Sequence, residues 1–174
     1  MRAPYDPPLL SARIPSSAGA AGGRRLTLLL IEDDRADALL VEELIADAVA
    51  DLEFIWAQSI ADAERKLATG RPDCVLLDLN LPDADGIDAL HRVNNLDTTI
   101  PIIVLTGLND EHFGVSAVAS GAQDYLVKGR VEPETLSRAV LYAIERKRAE
   151  LTAVDLHASR LRAQENARLE RGLL

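Results

Sequence analysis

The chain alternates between short runs of apolar residues and longer segments whose apolar residues recur at helical spacing, and this pair repeats five times. An apolar run of about six residues is too short for a helix and is typical of a strand buried on both faces. We predict strands at LTLLLI (26–31), LEFIWA (52–57), CVLLD (74–78), PIIVLT (101–106) and DYLV (124–127). Strands that alternate with helices indicate an α/β protein whose parallel sheet lies between two layers of helices.

Capping and stop signals place the predicted helices between these strands. They are expected at residues 36–49, 59–70, 86–96, 110–120 and from 133 onward. Ser59 with Asp62 comes close to a capping box, and Pro133 suits the first turn of the last helix, which has no stop signal before Gly172. We therefore predict a doubly wound, flavodoxin-like, five-stranded parallel sheet of order 2-1-3-4-5 with an extended C-terminal helix.

Composition narrows the function classes and the compartment. The 174 residues carry a formal net charge of -9, which disfavours direct binding of nucleic acid because phosphate neutralisation needs a basic face. The single cysteine, Cys74, lies in an apolar run and allows no disulfide within the chain, as expected in the reducing cytoplasm. No apolar run approaches the roughly 20 residues that cross a bilayer, so we expect no contact with a membrane.

Three segments are expected along the chain. Residues 1–24 are rich in proline, glycine and arginine and lack the apolar stretch of a signal peptide, so we predict a disordered N-terminal tail. Residues 25–147 hold all the predicted strands and form the compact domain. Residues 148–174 continue the last helix and are a candidate coiled-coil linker to an output domain.

Acidic residues follow two strands that neighbour each other in the predicted sheet. Glu32, Asp33 and Asp34 come after the first strand. Asp78 ends the third. Doubly wound sheets bind ligands at the carboxyl ends of their strands, where the strand order reverses, and these carboxylates meet there. Crowded carboxylates raise one another's pKa, and a divalent cation such as Mg²⁺ or Mn²⁺ would offset that cost.

Two further polar residues end the fourth and fifth predicted strands. Thr106 has a hydroxyl that can donate to an anionic oxygen, and Lys128 has an ammonium that can reach the same centre. Together with the acids they predict a phosphoryl-accepting site in which Asp78 is the nucleophile. Each residue alone has an ordinary explanation: a turn aspartate, a solvated lysine, or acids that favour a helix N-terminus. Only their joint placement at the strand ends favours the site.

Four stretches of the sequence resemble, in order and spacing, the response-regulator receiver domain of two-component signalling. They are LLLIEDD, CVLLDLNLPDADG, PIIVLTG and GAQDYLVKG, and the resemblance covers residues 25–147. Receivers accept a phosphoryl group on one aspartate, so the resemblance implies a sensor histidine kinase or a phosphotransfer protein as partner. It implies a switch that catalyses its own phosphorylation and dephosphorylation, rather than an enzyme in the usual sense.

The resemblance assigns roles on the metal side of the site. Asp78 matches the phosphoacceptor. Glu32 and Asp33 match the acid pair, with Asp33 as the direct metal ligand. Asn80 matches the position whose backbone carbonyl completes metal binding, and the implied cofactor is Mg²⁺ or Mn²⁺.

The resemblance also assigns the phosphate side. Thr106 and Lys128 match the switch hydroxyl and the phosphate-binding lysine. Tyr125 matches the aromatic residue that moves inward when the hydroxyl engages the phosphoryl group. Receivers commonly have a proline after the lysine, in a cis peptide bond, whereas this chain has Gly129, so we expect a loop of less fixed geometry.

Apolar residues of the extended helix recur at heptad spacing. The seam consists of Ile144, Leu151, Val154, Ala158 and Leu161, and its phase slips after Leu161. We expect a modest parallel homodimer through this seam. A single amphipathic helix that packs on another element is the alternative.

The last residues, ENARLERGLL, resemble the linker that enters the metal-dependent serine/threonine phosphatase domain of bacterial sigma-factor regulators. That resemblance implies that this chain is the N-terminal part of a longer protein with a phosphatase output. A stand-alone aspartate-nucleophile phosphatase of the doubly wound class is the alternative. Such enzymes usually have a second catalytic aspartate two residues after the first, and Asn80 at that position favours the switch.

Overall fold

The computed structural model describes residues 25–46, 48, 52–107 and 111–172; the predicted tail, residues 1–24, lies outside them. The strands are β1 (Leu26–Ile31), β2 (Leu52–Ala57), β3 (Cys74–Asp78), β4 (Asn80–Leu81), β5 (Ala84–Asp85), β6 (Ile102–Thr106) and β7 (Asp124–Val127). The helices are α1 (Arg35–Ala46), α2 (Ile60–Leu67), α3 (Gly86–Leu96), α4 (Glu111–Ala119) and α5 (Pro133–Gly172). Within the described residues, no helix combines the length and the apolar character needed to cross a bilayer.

All neighbouring strands of the main sheet are parallel, and their order is β2-β1-β3-β6-β7. β4 and β5 form a separate antiparallel ladder that the sequence did not predict, since two-residue strands leave no periodicity to detect. Without that ladder, the main sheet has the predicted order 2-1-3-4-5, and the fold class is confirmed. The order reverses between β1 and β3, so the crevice at their carboxyl ends is the expected place for a site.

Each face of the sheet has its own hydrophobic core, because side chains alternate along a strand. Leu29 of β1 packs on the side of α2, α3 and α4, where Leu90 is one of its neighbours in the core. Leu28 packs on the opposite side with Val41 of α1 and Leu136 of α5. Burial on both faces explains why the strands read as unbroken apolar runs.

Local chemistry sets the ends of the elements. Ser59 caps α2, since its hydroxyl accepts from the backbone N–H of Asp62 at 3.1 Å. The Asp62 carboxylate accepts from the backbone N–H of Gln58 at 3.2 Å, one residue before the position that a capping box requires. β6 begins at Ile102 and not at the predicted Pro101, because proline has no N–H for the ladder.

α5 is a single uninterrupted helix, as predicted, and its first half belongs to the compact domain. Ile144 is 5% exposed and packs in the same core as Leu136, so its predicted place in a dimer seam is wrong. Leu151 is half-buried in a groove that Pro72 and Pro101 also line. The division at residues 147 and 148 stays a prediction, since α5 crosses it without a break.

Candidate functional site

Three carboxylates meet at the carboxyl ends of β1 and β3. Glu32 and Asp33 directly follow β1, and Asp78 is the last residue of β3. One carboxylate oxygen of each lies within 4.8 Å of the others. Glu32 and Asp78 are buried, whereas Asp33 is exposed, so the cluster is open to solvent on one side. The structure therefore brings together the acid pair and the lone aspartate that the sequence singled out.

Hydrogen bonds to the edge strand β2 hold Glu32 in place. Its backbone N–H donates to the Ala57 carbonyl at 2.9 Å, and its own carbonyl accepts from the indole Nε1–H of Trp56 at 2.7 Å. Asp34 has another role, because its Oδ1 accepts from the backbone N–H of Ala36 at 2.7 Å and caps α1. The ordinary explanation of acids at a helix N-terminus thus accounts for Asp34.

The ammonium of Lys128 lies inside the cluster. Lys128 directly follows β7, and its Nζ contacts Glu32 and lies 3.2 Å from Oδ2 of Asp78. Asp37, in the first turn of α1, has its Oδ2 3.0 Å from the same nitrogen. Because Asp33 adds a fourth carboxylate, the one ammonium leaves the cluster with excess negative charge.

Burial shifts the proton equilibria of the cluster. It raises the pKa of Glu32 from its ordinary 4.5 to about 7, against the opposing hydrogen bond from Lys128. The pKa of Asp78 is also raised, chiefly by burial, although the charge of Lys128 opposes the shift. Burial acts to lower the pKa of Lys128, but the hydrogen bond to Glu32 and the charge of Asp78 outweigh it and raise that pKa. Full ionisation of both carboxylates therefore calls for more positive charge than Lys128 provides.

The donor set fits a hard divalent cation. Three carboxylates within 4.8 Å offer only oxygen ligands, and the exposure of Asp33 leaves room for water on the metal. Mg²⁺ and Mn²⁺ prefer such sites. Asn80, which was predicted to add its backbone carbonyl, is exposed at the start of β4, two residues after Asp78.

Thr106 ends β6, the strand next to β3 in the sheet. The register of β3 and β6 pairs Asp78 with Leu105, so Thr106 extends one residue beyond that pair. Thr106 is 2% exposed, and its hydroxyl donates to the carbonyl of Leu126 on β7 at 3.4 Å. Thr106 helps to line a cavity of about 70 Å³ together with Asn80, Asp85 and Gly86.

Tyr125 is not part of the carboxylate cluster and packs instead toward α4. Its ring is half-buried against the core on that face of the sheet. A Cβ atom added to Gly114 of α4 would lie 2.6 Å from Cγ and 2.7 Å from Cε2 of the ring, so the ring rests on bare helix backbone. Tyr125 directly precedes Leu126, whose carbonyl accepts from Thr106, and this links the two positions that were predicted to form the switch.

The turn after Asp78 is tied to α2. Asp83, between β4 and β5, accepts from the backbone N–H groups of Ile60 at 3.1 Å and Ala61 at 2.9 Å. Burial acts to raise the pKa of Asp83, but these two hydrogen bonds outweigh it and lower that pKa. A guanidinium N–H of Arg92 on α3 donates to the Asp83 carbonyl, so backbone N–H groups of α2 and a side chain of α3 together fix this turn.

Sequence reasoning missed three residues that shape the site, namely Asp37, Trp56 and Asp83. Asp37 had a readable signal, since it lies in the first turn of the helix that follows Asp33 and Asp34. Trp56 and Asp83 had none, because their partners are 24 and 22 to 23 residues away and are fixed only by the packing of the sheet.

The sequence profile of the response regulator receiver domain matches residues 28–141. This range holds most of the described chain, including the carboxylate cluster, Thr106 and Lys128. The chain belongs to the response regulator receiver family. Membership of this family favours the signalling switch over the stand-alone phosphatase.

Relatives of this receiver include regulatory proteins of two bacteria. It is 38% identical over 126 residues to the swarming motility regulation protein RssB of Serratia marcescens, and the match covers 71% of this chain and 55% of that protein. It is 39% identical over 124 residues to the transcriptional regulatory protein AfsQ1 of Streptomyces coelicolor, over 70% of this chain and 53% of that protein. The chain spans about half the length of these curated relatives.

Solved structures agree with this assignment. The crystal structure of a response regulator receiver domain protein from Clostridium thermocellum is 27% identical, with a TM-score of 0.62, and the match covers 71% of this chain and 98% of that one.

In the loop after Lys128, this receiver has Gly129 at φ 77°, a left-handed conformation closed to the proline that receivers commonly have there. Glycine is thus suited to the backbone conformation of this loop. That the loop has a less fixed geometry than in other receivers stays a prediction.

Proposed function

We propose that this receiver is the cytoplasmic phosphoacceptor switch of a two-component phosphorelay, in which Asp78 takes a phosphoryl group from a sensor histidine kinase or phosphotransfer protein. The position of the Asp78 carboxylate carries the proposal. It lies at the tip of β3, within 4.8 Å of oxygens of Glu32 and Asp33 and 3.2 Å from Nζ of Lys128. A carboxylate held between metal-binding oxygens and an ammonium is suited to attack an anionic phosphoryl group.

The transfer makes and breaks one bond at phosphorus. An Asp78 oxygen bonds to phosphorus while the bond from phosphorus to the donor's imidazole nitrogen breaks, and the imidazole keeps the electron pair and takes up a proton. Lys128 donates to a phosphoryl oxygen in place of the Asp78 oxygen that it faces now. Attack of water on the phosphoaspartate returns Asp78 to its free form and releases phosphate.

The metal in this proposal is Mg²⁺ or Mn²⁺. Glu32, Asp33, Asp78 and the backbone carbonyl of Asn80 would hold it, and it supplies the charge neutralisation that an incoming phosphoryl group needs. The raised pKa values of Glu32 and Asp78 support this assignment, since both carboxylates lack sufficient positive charge nearby.

Intact-mass measurement with a small phosphodonor tests the nucleophile. With phosphoramidate and Mg²⁺, the full chain should gain one phosphoryl group, and Asp78→Asn should gain none because the attacking oxygen is lost. Asp88→Asn is the matched control, since Asp88 is an exposed aspartate in the first turn of α3. Labelling that persists in Asp78→Asn would place the nucleophile elsewhere.

The switch in this proposal is the hydroxyl of Thr106, which exchanges the carbonyl of Leu126 for a phosphoryl oxygen and so releases β7 next to Tyr125. Thr106→Ala should still be phosphorylated, because the nucleophile, the metal ligands and Lys128 remain. NMR signals of the Tyr125 ring should respond to beryllofluoride with Mg²⁺ in the wild type and not in Thr106→Ala. Equal responses in both proteins would contradict the coupling.

The output path in this proposal is α5, paired with a second copy of the chain and leading to a serine/threonine phosphatase domain. Leu151 of the seam is half-buried in the groove with Pro72 and Pro101. The seam continues past it with Val154, Ala158 and Leu161, and Val154 and Leu161 are 64% and 52% exposed. An exposed helix of this length is marginal alone in water, so a partner helix with the same heptad spacing is the expected cover. Direct binding of nucleic acid forms no part of the proposal, given the net charge of -9.

A further inference from the structure

Lys128 has one partner that the proposed reaction does not use. A lysine ammonium has three N–H donors on a flexible stem, and three carboxylates surround this one. Glu32 and Asp78 belong to the proposed metal and phosphoryl site. The third is Asp37, at 3.0 Å, which belongs to neither.

We propose that Asp37 is a positioning residue that holds the ammonium of Lys128 in line with the phosphoryl group on Asp78; this inference rests on the proposed phosphoacceptor function. Asp37 sits on a fixed support, because its backbone N–H donates to the capping carboxylate of Asp34 at 3.1 Å in the first turn of α1. It therefore anchors the flexible lysine to a helix, and not to another loop.

The reaction cycle explains why such an anchor is needed. When Asp78 is phosphorylated, a phosphoryl oxygen replaces its carboxylate oxygen as the acceptor of Lys128. When a metal binds, Glu32 shares its charge with that metal. Asp37 is the described partner of Lys128 whose role stays the same throughout, so it keeps Nζ in one place while the other two partners change.

An opposite role for Asp37, as a competitor that draws Lys128 away or repels an anionic donor, is weaker on physical grounds. The Asp37 side chain is 45% exposed, and solvent and salt screen the repulsion from such a charge. The hydrogen bond at 3.0 Å is short-ranged and oriented, so it retains its effect on Lys128. Positioning should therefore outweigh repulsion.

The test measures the rate of phosphorylation of the full chain by phosphoramidate at saturating Mg²⁺. Asp37→Ala should lower the maximal rate by about tenfold, the order expected for one charge-assisted hydrogen bond. Asp37→Asn keeps an acceptor oxygen and should lose only about threefold. The phosphoramidate concentration at half-maximal rate should change less than the maximal rate in both variants. Glu42→Gln, an exposed carboxylate on the same helix, is the control for the loss of charge.

A double-mutant cycle separates positioning from a general effect on folding. If Asp37 acts through Lys128, then Asp37→Ala should have no further effect on the rate in a Lys128→Ala background. Variants that match Glu42→Gln, or that react faster than the wild type, would overturn the inference, and so would additive effects in the cycle. A wild type that is not phosphorylated at all would instead contradict the function of Asp78.

Discussion

The Nζ atom of Lys128 lies 3.2 Å from Oδ2 of Asp78, although Lys128 directly follows β7, Asp78 ends β3, and β6 separates these two strands. Parallel strands place their carboxyl ends at one edge, and the long lysine side chain spans the remaining gap. The proposed nucleophile is thus paired with the proposed phosphate ligand before any phosphoryl group arrives. Without a phosphoryl group, Lys128 forms ion pairs with Asp78 and Glu32. These ion pairs should affect the stability of the fold whether or not the proposed reaction takes place.

Removal of the lysine should destabilise the fold. Lys128→Met leaves Glu32 and Asp78 buried without their cation, and we expect a loss of about 1 to 3 kcal/mol in the free energy of unfolding at pH 7.5. The loss should shrink at pH 5.5, where Glu32, with its pKa raised to about 7, is protonated. Urea unfolding of the wild type and of Lys128→Met at both pH values measures the loss in the free energy of unfolding.

Lys66→Met is the control for that experiment. Lys66 pairs with Asp62 at 3.7 Å on the surface of α2, and such exposed pairs contribute little. A Lys128→Met variant that loses no more stability than Lys66→Met would show that the buried carboxylates do not depend on Lys128.

The raised pKa of Glu32 should make the free energy of unfolding depend on pH when no metal is bound. The unfolded chain releases this proton near its ordinary pKa of 4.5, whereas the folded chain holds it up to about 7. Between these values the folded state binds more protons, so the Glu32 contribution to the free energy of unfolding falls as pH rises, by on the order of 1 to 3 kcal/mol. Unfolding curves from pH 4.5 to 8 should show this fall in the wild type and a flatter profile in Glu32→Gln. Equal slopes would contradict a raised pKa.

The contact between the Tyr125 ring and α4 should not tolerate a methyl group at position 114. Gly114→Ala places a Cβ 2.6 Å from Cγ of the ring, so the ring or the helix must move, at a cost of about 1 to 3 kcal/mol. NMR of the Tyr125 ring together with urea unfolding measures both effects. Gly70→Ala is the control, since a Cβ there meets nothing within 4 Å. An unchanged Tyr125 signal in Gly114→Ala would mean that the ring does not rest on α4.

The sequence predicted the sheet and most of the cluster for one physical reason. Strands buried on both faces read as apolar runs, and parallel strands bring the residues after those runs to one edge. Glu32, Asp78 and Lys128 could therefore be placed together without knowledge of any side-chain contact. Trp56 could not, because its bond to the Glu32 carbonyl depends on how β2 lies against β1.

The error at Ile144 has a physical reason too. A helix that packs on a sheet and a helix that pairs in a coiled coil both repeat apolar residues every three to four positions. Ile144 continues the phase of the later heptads, yet it is buried in the compact domain. Spacing alone cannot separate the two uses, whereas the exposed fraction of each side chain does.

The last prediction is that the chain forms a modest dimer through the part of α5 beyond Leu151. Leu161 lies on the seam and Leu156 lies 5 residues earlier, about 140° around the helix, yet the two are 52% and 51% exposed. Leu161→Lys should weaken the dimer by bringing two ammonium groups together in the seam, while Leu156→Lys should leave it intact. The dimer should be weak even in the wild type, because Glu150 and Asp155 flank the seam at positions that face each other in a parallel pair.

Sedimentation equilibrium at tens of micromolar measures the association of the full chain, of both variants and of a chain truncated after Leu151. A monomeric wild type, with or without beryllofluoride, would exclude the coiled coil, and a truncated chain that dimerises equally well would place the interface on the receiver.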